Sequence, residues 1–246
     1  MIASNSSTGT TGTAIPYSGS ELELFADARI WRAYWQAQIA PFIGKRVLEV
    51  GAGLGTVVRS LSHLPIVHWV ALEPDPDMAG RLSVLSESGV LPAFCEPRPG
   101  TTSDLAPDEQ FDTVMYVDVL EHIEDDRAEL ARAARHVAPN GTLIVLAPAH
   151  QFLYSSFDAA IGHFRRYGLG VLLDLCPPGL SVARARYLDA AGLLTSLGNR
   201  LLLKQSVPTP AQIGIWDRVM VRASRWIDPA LSFRLGKSVL VVWRRS

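Results

Sequence analysis

Short apolar segments alternate with segments of helical spacing along residues 46–147 of this chain. Five apolar segments have the length of strands: 46–50, 67–72, 92–96, 111–116 and 142–147. Between them, apolar residues recur at the three- to four-residue spacing of an amphipathic helix. Strands that alternate with helices in this way predict an α/β fold with a doubly wound, parallel sheet, and strands without a polar face fit a sheet covered on both sides.

The ends of the chain have a less regular pattern. Residues 21–42 have helical spacing, residues 181–187 and 237–243 predict two more strands, and residues 188–236 predict a helical insertion. Residues 1–20 are rich in Ser, Thr and Gly and cannot bury enough apolar surface to offset the entropy of ordering, so a flexible tail is expected. We therefore expect a single domain over residues 21–246.

Composition narrows the functional classes. Hydrophobic residues make up 48% of the 246 residues and charged residues 19%, which excludes a wholly disordered chain. The formal net charge is −1, so no nucleic acid partner is expected. Two cysteines are too few for a disulfide framework, which favours a cytoplasmic location. No apolar run approaches the roughly 20 residues that a spanning helix needs.

A glycine-rich loop at residues 51–56 lies directly between the first predicted strand and a helix. A dinucleotide-binding loop would have its third glycine at Thr56, whereas here the third glycine is Gly55. Glu49 precedes the loop, where it would disfavour a pyrophosphate and favour a cationic ligand. Glu73 ends the next strand, where a carboxylate can accept hydrogen bonds from both hydroxyls of a ribose.

Four motifs occur in an order and spacing that resemble those of the class I S-adenosylmethionine (SAM)-dependent methyltransferases: VLEVGAGLGT, ALEPDPDM, FDTVMYVDVLEHI and APNGTLIVLAPA. The resemblance covers residues 40–150 closely. It implies a Rossmann-like methyltransferase fold, with a doubly wound, mostly parallel seven-stranded sheet whose last strand is antiparallel. It also implies SAM as the cofactor, a ligand with a ribose, a cationic methionine portion and no phosphate.

The resemblance implies a set of cofactor-binding residues, to which the charge argument adds Glu49. Glu73 would bind the ribose hydroxyls, and Thr101 is the least typical position because many family members have Asp there. The remaining implied residues are Gly51, Ala52, Gly53 and Gly55 at the methionine and ribose portions, Pro74 and Asp75 beside the adenine, Thr102 with Thr101 at the adenine edge, and Asp118 and Val119 at the methionine end.

Asp118, Glu121 and His122 have the spacing of one helical face and could hold a divalent metal that polarises an acceptor hydroxyl. The pattern is similar to that of ubiquinone-pathway O-methyltransferases and small-RNA 2′-O-methyltransferases. However, the sequence LEHI also occurs in metal-free relatives, where Glu and His are capping and packing residues. We therefore expect no metal.

Residues 150–167 concentrate polar side chains in the loop after the fifth strand, where an acceptor would bind. His163 is the candidate general base by residue type, since histidine is the side chain that most readily exchanges a proton at neutral pH, and Asp158 is its candidate orienting partner. Arg165 and Arg166 fit a solvated turn better. The segment SSFDAAIGHFRRYG resembles bacterial methyltransferases encoded near glycosyltransferases of cell-envelope pathways.

Residues 211–227 predict an amphipathic helix with arginines on a second face. Peripheral contact with an anionic membrane, a lid over the acceptor, and packing on the domain or on a partner in a homodimer all fit this pattern. The apolar stripe consists of Ile213, Trp216, Met220, Ala223 and Ile227, and the arginines are Arg218, Arg222 and Arg225.

The predicted function is methyl transfer from SAM to a small-molecule or lipid-linked acceptor at a hydroxyl oxygen. An N- or C-methyltransferase that needs little help from a base is the nearest alternative. An NAD-dependent reductase, which Thr56 disfavours, and a SAM-binding protein without catalysis are alternatives from other classes.

Overall fold

The computed structural model describes residues 27–198 and 209–246. The predicted tail and residues 199–208 of the predicted insertion lie outside the described residues. Seven strands form the sheet: β1 (Arg46–Val50), β2 (His68–Glu73), β3 (Cys95–Pro99), β4 (Phe111–Val117), β5 (Val137–Pro148), β6 (Leu180–Leu188) and β7 (Ser238–Arg245).

Helices cover both faces of this sheet. The described α-helices are α1 (Arg29–Ile39), α2 (Thr56–Leu61), α3 (Pro76–Glu87), α4 (Asp126–Arg135), α5 (Ser156–Ala160), α6 (Leu169–Leu173), α7 (Ala190–Gly198), α8 (Pro210–Ile215) and α9 (Val221–Ala230). A π-helical turn at Trp216–Met220 joins α8 to α9 without a break. None of the helices within the described ranges is both long and apolar enough to cross a membrane.

The strand order β3-β2-β1-β4-β5-β7-β6 confirms the predicted fold. Strands β1 to β5 pair in parallel, and β7 is antiparallel to both β5 and β6. Strands β2 and β3 lie on one side of β1, whereas β4 and β5 lie on the other, so the connections after β1 and β4 diverge and leave a crevice at the carboxyl ends of these strands. That crevice is where a ligand is expected to bind.

Two strands begin three or more residues away from their predicted starts. The backbone N–H of Cys95 donates to the carbonyl of Pro92, so residues 92–95 form a turn and β3 begins only at Cys95. Strand β5 begins five residues earlier than predicted, because residues 139–141 form an irregularity within the strand and do not interrupt it. Gly141 is required there, since a Cβ would lie 2.8 Å from the carbonyl oxygen of Ala138.

The core consists of two apolar layers, one on each face of the sheet. Alternate residues of β1 enter different layers: Val47 packs with Trp35 and Trp69, whereas Leu48 packs with Phe111 and other residues of the second layer. All of these side chains except Trp35 are fully buried, and Trp35 is 3% exposed. Both layers are continuous, which accounts for the unbroken apolar character of the strands.

A buried carboxylate holds the inserted helix α9 against α1 and against the residues that follow β6. Asp228 on α9 accepts hydrogen bonds from the Tyr34 hydroxyl of α1 at 2.7 Å and from the backbone N–H groups of Asp189 and Ala190 at 2.7 and 2.9 Å. Its side chain is inaccessible to solvent. Three elements therefore depend on one carboxylate for hydrogen bonds that water cannot replace.

Asp228→Ala should lower the free energy of unfolding by about 3 kcal/mol, because it leaves buried donors of α1 and α7 without an acceptor. Urea unfolding followed by circular dichroism measures the change. Asp108→Ala, at an exposed position, is the matched control and should have almost no effect. Equal stabilities of the two variants would contradict the anchoring role of Asp228.

Candidate active site

The glycine loop lies across the carboxyl ends of β1 and β2. The backbone N–H groups of Gly51 and Ala52 both donate to the carbonyl of Leu72. Gly51 has a φ of +70°, and a Cβ there would lie 2.6 Å from Cγ2 of Val119. Only glycine allows this backbone to turn so sharply beside the end of β4. The structure thus brings the predicted cofactor residues of two strands together.

Glu73 connects the end of β2 to the loop. Its Oε2 accepts from the Gly53 N–H at 2.7 Å, and its Oε1 accepts from the Asp75 N–H at 3.0 Å. Burial raises the pKa of Glu73, and these two hydrogen bonds partly oppose the shift. Each carboxylate oxygen can accept a further hydrogen bond, so ribose hydroxyls would add to the existing contacts.

The residues beside Glu73 have different roles. The Asp75 carboxylate caps α3 by accepting from the Met78 N–H at 2.9 Å, whereas Pro74 is exposed at the rim of the crevice. The side chain of Asp75 is therefore engaged in holding the helix. An adenine in the position that the resemblance implies would contact the backbone of residues 74–75.

Glu49 lies beneath the loop, with only 2% of its surface exposed. Its Oε2 accepts from the Trp69 indole N–H at 3.0 Å. Burial raises the pKa of Glu49 to about 8, so the carboxyl is largely protonated at neutral pH. A cation nearby would favour its ionised form, as expected for a residue close to a positively charged ligand.

The loop after β3 uses its two predicted threonines differently. Thr101 is exposed and caps the short 3₁₀ helix Thr102–Asp104. The Thr102 hydroxyl donates to the buried carboxylate of Glu129 and faces the core. Asp104, which the sequence analysis did not single out, accepts from the N–H of Thr101 at 2.7 Å and places a carboxylate in this loop. The capping pattern Thr-x-x-Asp is the signal that could have identified it.

Asp118 follows β4 with a φ of +53° and is exposed toward the crevice. Its N–H donates to the carbonyl of Leu146 on β5. The described crevice thus combines glycine backbone with the carboxylates of Glu73 and Asp118, and residues 49–58 contain no Lys or Arg. These residues fit a cationic nucleoside such as SAM better than a dinucleotide, whose pyrophosphate would meet negative charge.

The predicted pair in the acceptor loop is formed. Nδ1 of His163 lies 3.0 Å from Oδ1 of Asp158. Asp158 is fully buried and also accepts from the Ser155 N–H and from Arg166. Burial opposes its ionisation, but the hydrogen bonds from His163 and Arg166 outweigh burial and hold the pKa of Asp158 well below its usual range. Asp158 is therefore an ionised carboxylate that orients the imidazole.

The surroundings of His163 include a buried glutamate. The ligand atoms of Glu121, His122 and His163 all lie within 4.8 Å of one another. Nε2 of His163 is 3.8 Å from Oε1 of Glu121, whose two carboxylate oxygens have no hydrogen-bond partner among the described residues. Burial, and then Asp118, raise the pKa of Glu121 well above its usual range. Burial and His163 lower the pKa of His122 to about 4.

This cluster differs from the predicted metal set. The helical face that was expected to unite Asp118 with Glu121 and His122 does not form, because only the 3₁₀ turn Leu120–His122 follows and Asp118 precedes it in a left-handed conformation. His163 takes the third place, from a distant part of the chain. Sequence spacing alone could not reveal a contact between residues 121 and 163.

The two arginines of the acceptor loop have carboxylate partners, in contrast to the solvated turn favoured by the sequence. Arg165 donates to Asp126 at 2.6 Å, and Arg166 donates to Asp158 at 2.7 Å. Asp126 also accepts from the hydroxyl of Tyr167, which is fully buried. These contacts fix the loop against the segment that follows β4.

Lys237, just before β7, is a further polar residue near the crevice that no sequence pattern indicates. Its Nζ lies 4.7 Å from the centre of the Trp216 ring. Burial lowers the pKa of Lys237, and the nearby Asp189 opposes the shift. The segment LGKS at the start of a strand carries no pattern that would have distinguished this lysine.

Comparisons with known proteins show which proteins part of this chain is similar to. Residues 48–143 match a family model described as a methyltransferase domain. Two similar curated proteins are both named ubiquinone biosynthesis O-methyltransferase. The one from Azorhizobium caulinodans is 34% identical over 44% of this chain and 42% of its own length. The one from Pseudomonas syringae pv. tomato is 33% identical over 50% of this chain and 52% of its own length. The match thus spans about half the length of these relatives, or less.

Solved structures show the same fold at low identity. A SAM-dependent methyltransferase from Mesorhizobium loti is 16% identical, with a TM-score of 0.58 over 90% of this chain and 100% of that chain. A coclaurine N-methyltransferase bound to N-methylheliamine and S-adenosylhomocysteine is 11% identical, with a TM-score of 0.59 over 89% and 72% of the two chains. The family match over residues 48–143, the sheet order and the glycine loop all agree with the resemblance of this chain to the class I SAM-dependent methyltransferases.

Glu73→Ala should weaken the binding of SAM and of S-adenosylhomocysteine by about 1.5–3 kcal/mol for each charge-assisted hydrogen bond that is lost. Isothermal titration calorimetry measures both affinities. Glu87→Ala, at an exposed position on α3, is the control and should bind like the wild type. If Glu73→Ala also binds like the wild type, Glu73 does not contact the ribose.

Proposed function

We propose that this protein transfers the methyl group of SAM to a hydroxyl oxygen of a small-molecule or lipid-linked acceptor, with His163 as the general base. The observation that carries the proposal is the contact between His163 and the buried, ionised Asp158 in the loop beyond the strand ends. A histidine held in this way has one ring nitrogen committed to the carboxylate and the other available for a proton.

The cofactor would lie along the glycine loop, with its ribose at Glu73 and its methionine portion near Asp118 and Glu49. Bound SAM supplies an electrophilic methyl group on a sulfonium centre. The protein's task is then to align the acceptor with that methyl group and to exclude water. The carboxyl groups near the methionine portion suit a cationic ligand, and this favours the assignment of SAM over a nicotinamide dinucleotide.

The proton of the acceptor hydroxyl would pass to Nε2 of His163 as the new oxygen–carbon bond forms. Asp158 would keep the proton on Nδ1 and stabilise the resulting imidazolium, so Asp158 is a positioning residue. The names of the curated relatives, which are O-methyltransferases, support a hydroxyl acceptor. An N- or C-methyltransferase would have less use for such a pair.

His163→Ala should lower the turnover number about 10²- to 10⁴-fold, the range typical of a lost general base. The affinity for SAM should hardly change, because His163 belongs to the acceptor side of the crevice. The assay measures S-adenosylhomocysteine release in a screen of phenols, sugars and prenyl-linked glycolipids. His63→Ala, at an exposed histidine, is the control. Normal turnover of His163→Ala would show that catalysis does not need this base.

A second candidate mechanism comes from the cluster of Glu121, His122 and His163. Its three ligand atoms are close enough to contact one divalent cation, and the two buried oxygens of Glu121 have no described hydrogen-bond partner. Imidazole and carboxylate ligands suit Mn²⁺, Fe²⁺ or Zn²⁺. A cation there would polarise the acceptor hydroxyl, and His163 would then be a ligand instead of a base.

Removal of divalent metal with EDTA should leave the turnover number unchanged if His163 is the base. Elemental analysis of the purified protein, before and after chelation, is the accompanying measurement. A stoichiometric metal that is lost in Glu121→Gln, together with activity that is restored by Mg²⁺, Mn²⁺ or Zn²⁺, would replace the base mechanism with the metal mechanism. Glu87→Gln, at an exposed position on α3, is the control carboxylate substitution.

A further inference from the structure

The continuous helix from Pro210 to Ala230 has an exposed face that combines apolar side chains with arginines. We call it the arginine–tryptophan face. The exposed fraction is 84% for Trp226, 59% for Ile215 and 53% for Val219. Three exposed arginines lie beside these apolar residues: Arg218, Arg222 and Arg225. A helix that buries one side and keeps a tryptophan this exposed on the other has an apolar surface that the domain does not use.

The acidic and the basic side chains of this helix lie on opposite sides. Asp217 turns inward and accepts from the backbone N–H groups of Ile30 and Trp31, and Asp228 turns inward to its own buried contacts. Each exposed charged residue between 209 and 231 is therefore an arginine. The whole chain has a formal net charge of −1, so this concentration of positive charge is local.

We propose that the arginine–tryptophan face binds the surface of an anionic lipid bilayer, with the helix lying in the plane of the interface. Apolar side chains flanked by arginines suit this position, because the apolar groups enter the boundary of the acyl chains while the guanidinium groups contact anionic headgroups. Tryptophan favours the same depth, since its ring is amphipathic. The opposite side of the helix is fixed to the domain by Asp217 and Asp228, so the face is presented as a rigid surface.

A second copy of the chain fits this face less well. In a two-fold symmetric dimer the same patch meets itself, which would bring Arg218, Arg222 and Arg225 close to their own counterparts. A bilayer of anionic lipids offers the opposite charge. The same helix also carries Trp216, whose ring lies beneath Lys237 and whose indole N–H donates to Asp189. Binding to a bilayer would also favour a lipid-linked acceptor over a freely diffusing one. That statement about the acceptor rests on the proposed function.

The experiment is co-sedimentation of the full chain with vesicles, without SAM or acceptor. We expect binding to vesicles that contain phosphatidylglycerol, little binding to pure phosphatidylcholine, and weaker binding at high salt. The triple variant Arg218→Gln, Arg222→Gln, Arg225→Gln should weaken binding about a hundredfold, at about fivefold for each arginine. Trp226→Ala should weaken it about tenfold.

Matched controls use similarly exposed residues on other helices. The triple variant Arg81→Gln, Arg127→Gln, Arg135→Gln changes the same net charge on α3 and α4 and should bind the vesicles nearly as the wild type does. Val219→Ser should weaken binding, whereas Val84→Ser should not, although both valines are more than half exposed. Circular dichroism and SAM affinity should be unchanged in all variants, because none of these residues lies in the crevice.

Three results would overturn the proposal: no binding to anionic vesicles, equal losses in the face and control variants, or a dimer in light scattering that Trp226→Ala dissociates. The last would assign the face to a second copy of the chain. If the protein binds SAM and methylates an acceptor but does not bind the vesicles, only the proposal of a membrane-binding face is refuted. Vesicle binding without any binding of SAM would refute the proposed function alone.

Discussion

Buried carboxylates, each with a full set of hydrogen-bond donors, are the constraint on which the irregular parts of this structure depend. A carboxylate that leaves water is stable only when donors replace that water. Asp158 meets this condition with Ser155, His163 and Arg166. Asp228 meets it with donors from α1 and from residues 189–190 at the start of α7. Neither the acceptor loop nor the inserted helices belong to the sheet, so these carboxylates determine where both are held.

Other buried carboxyls lack such compensation, and they are found near the expected ligands. Glu49 has one described donor, the Trp69 indole, and its pKa is raised to about 8. Glu121 has no described donor to its carboxylate oxygens. The stability of the free protein should therefore fall as the pH rises from about 5 to 8, because the folded state holds protons that the unfolded chain releases. A bound cation near either residue would reverse part of that loss.

The sequence best predicted the features that depend on residues close together in the chain. The apolar strands, the glycine loop, and the pairing of His163 with Asp158 were all predicted from residue type and spacing. The contact between Glu121 and His163 was not, because it joins residues that are 42 positions apart only once the loop has packed. The inserted helix was predicted to be apolar on one side; the structure shows that Ile213 and its stripe are mostly turned toward the domain, while Ile215, Val219 and Trp226 form a second apolar side. Periodicity does not distinguish the two sides, since the apolar residues of the second side, four and seven positions apart, also have helical spacing.

The two mechanisms considered for His163 differ in the protonation of a single neighbour. Since Nδ1 is committed to Asp158, only the lone pair of Nε2 is available, and it can accept a proton from an acceptor or bind a cation, but not both. Nε2 faces Oε1 of Glu121 at 3.8 Å. If Glu121 is neutral, as its raised pKa favours, the cluster carries too little negative charge to hold a divalent ion firmly, and Nε2 is left to act as a base. If a metal displaces that proton, the same three residues become ligands. The two proposed mechanisms thus require different protonation states of Glu121.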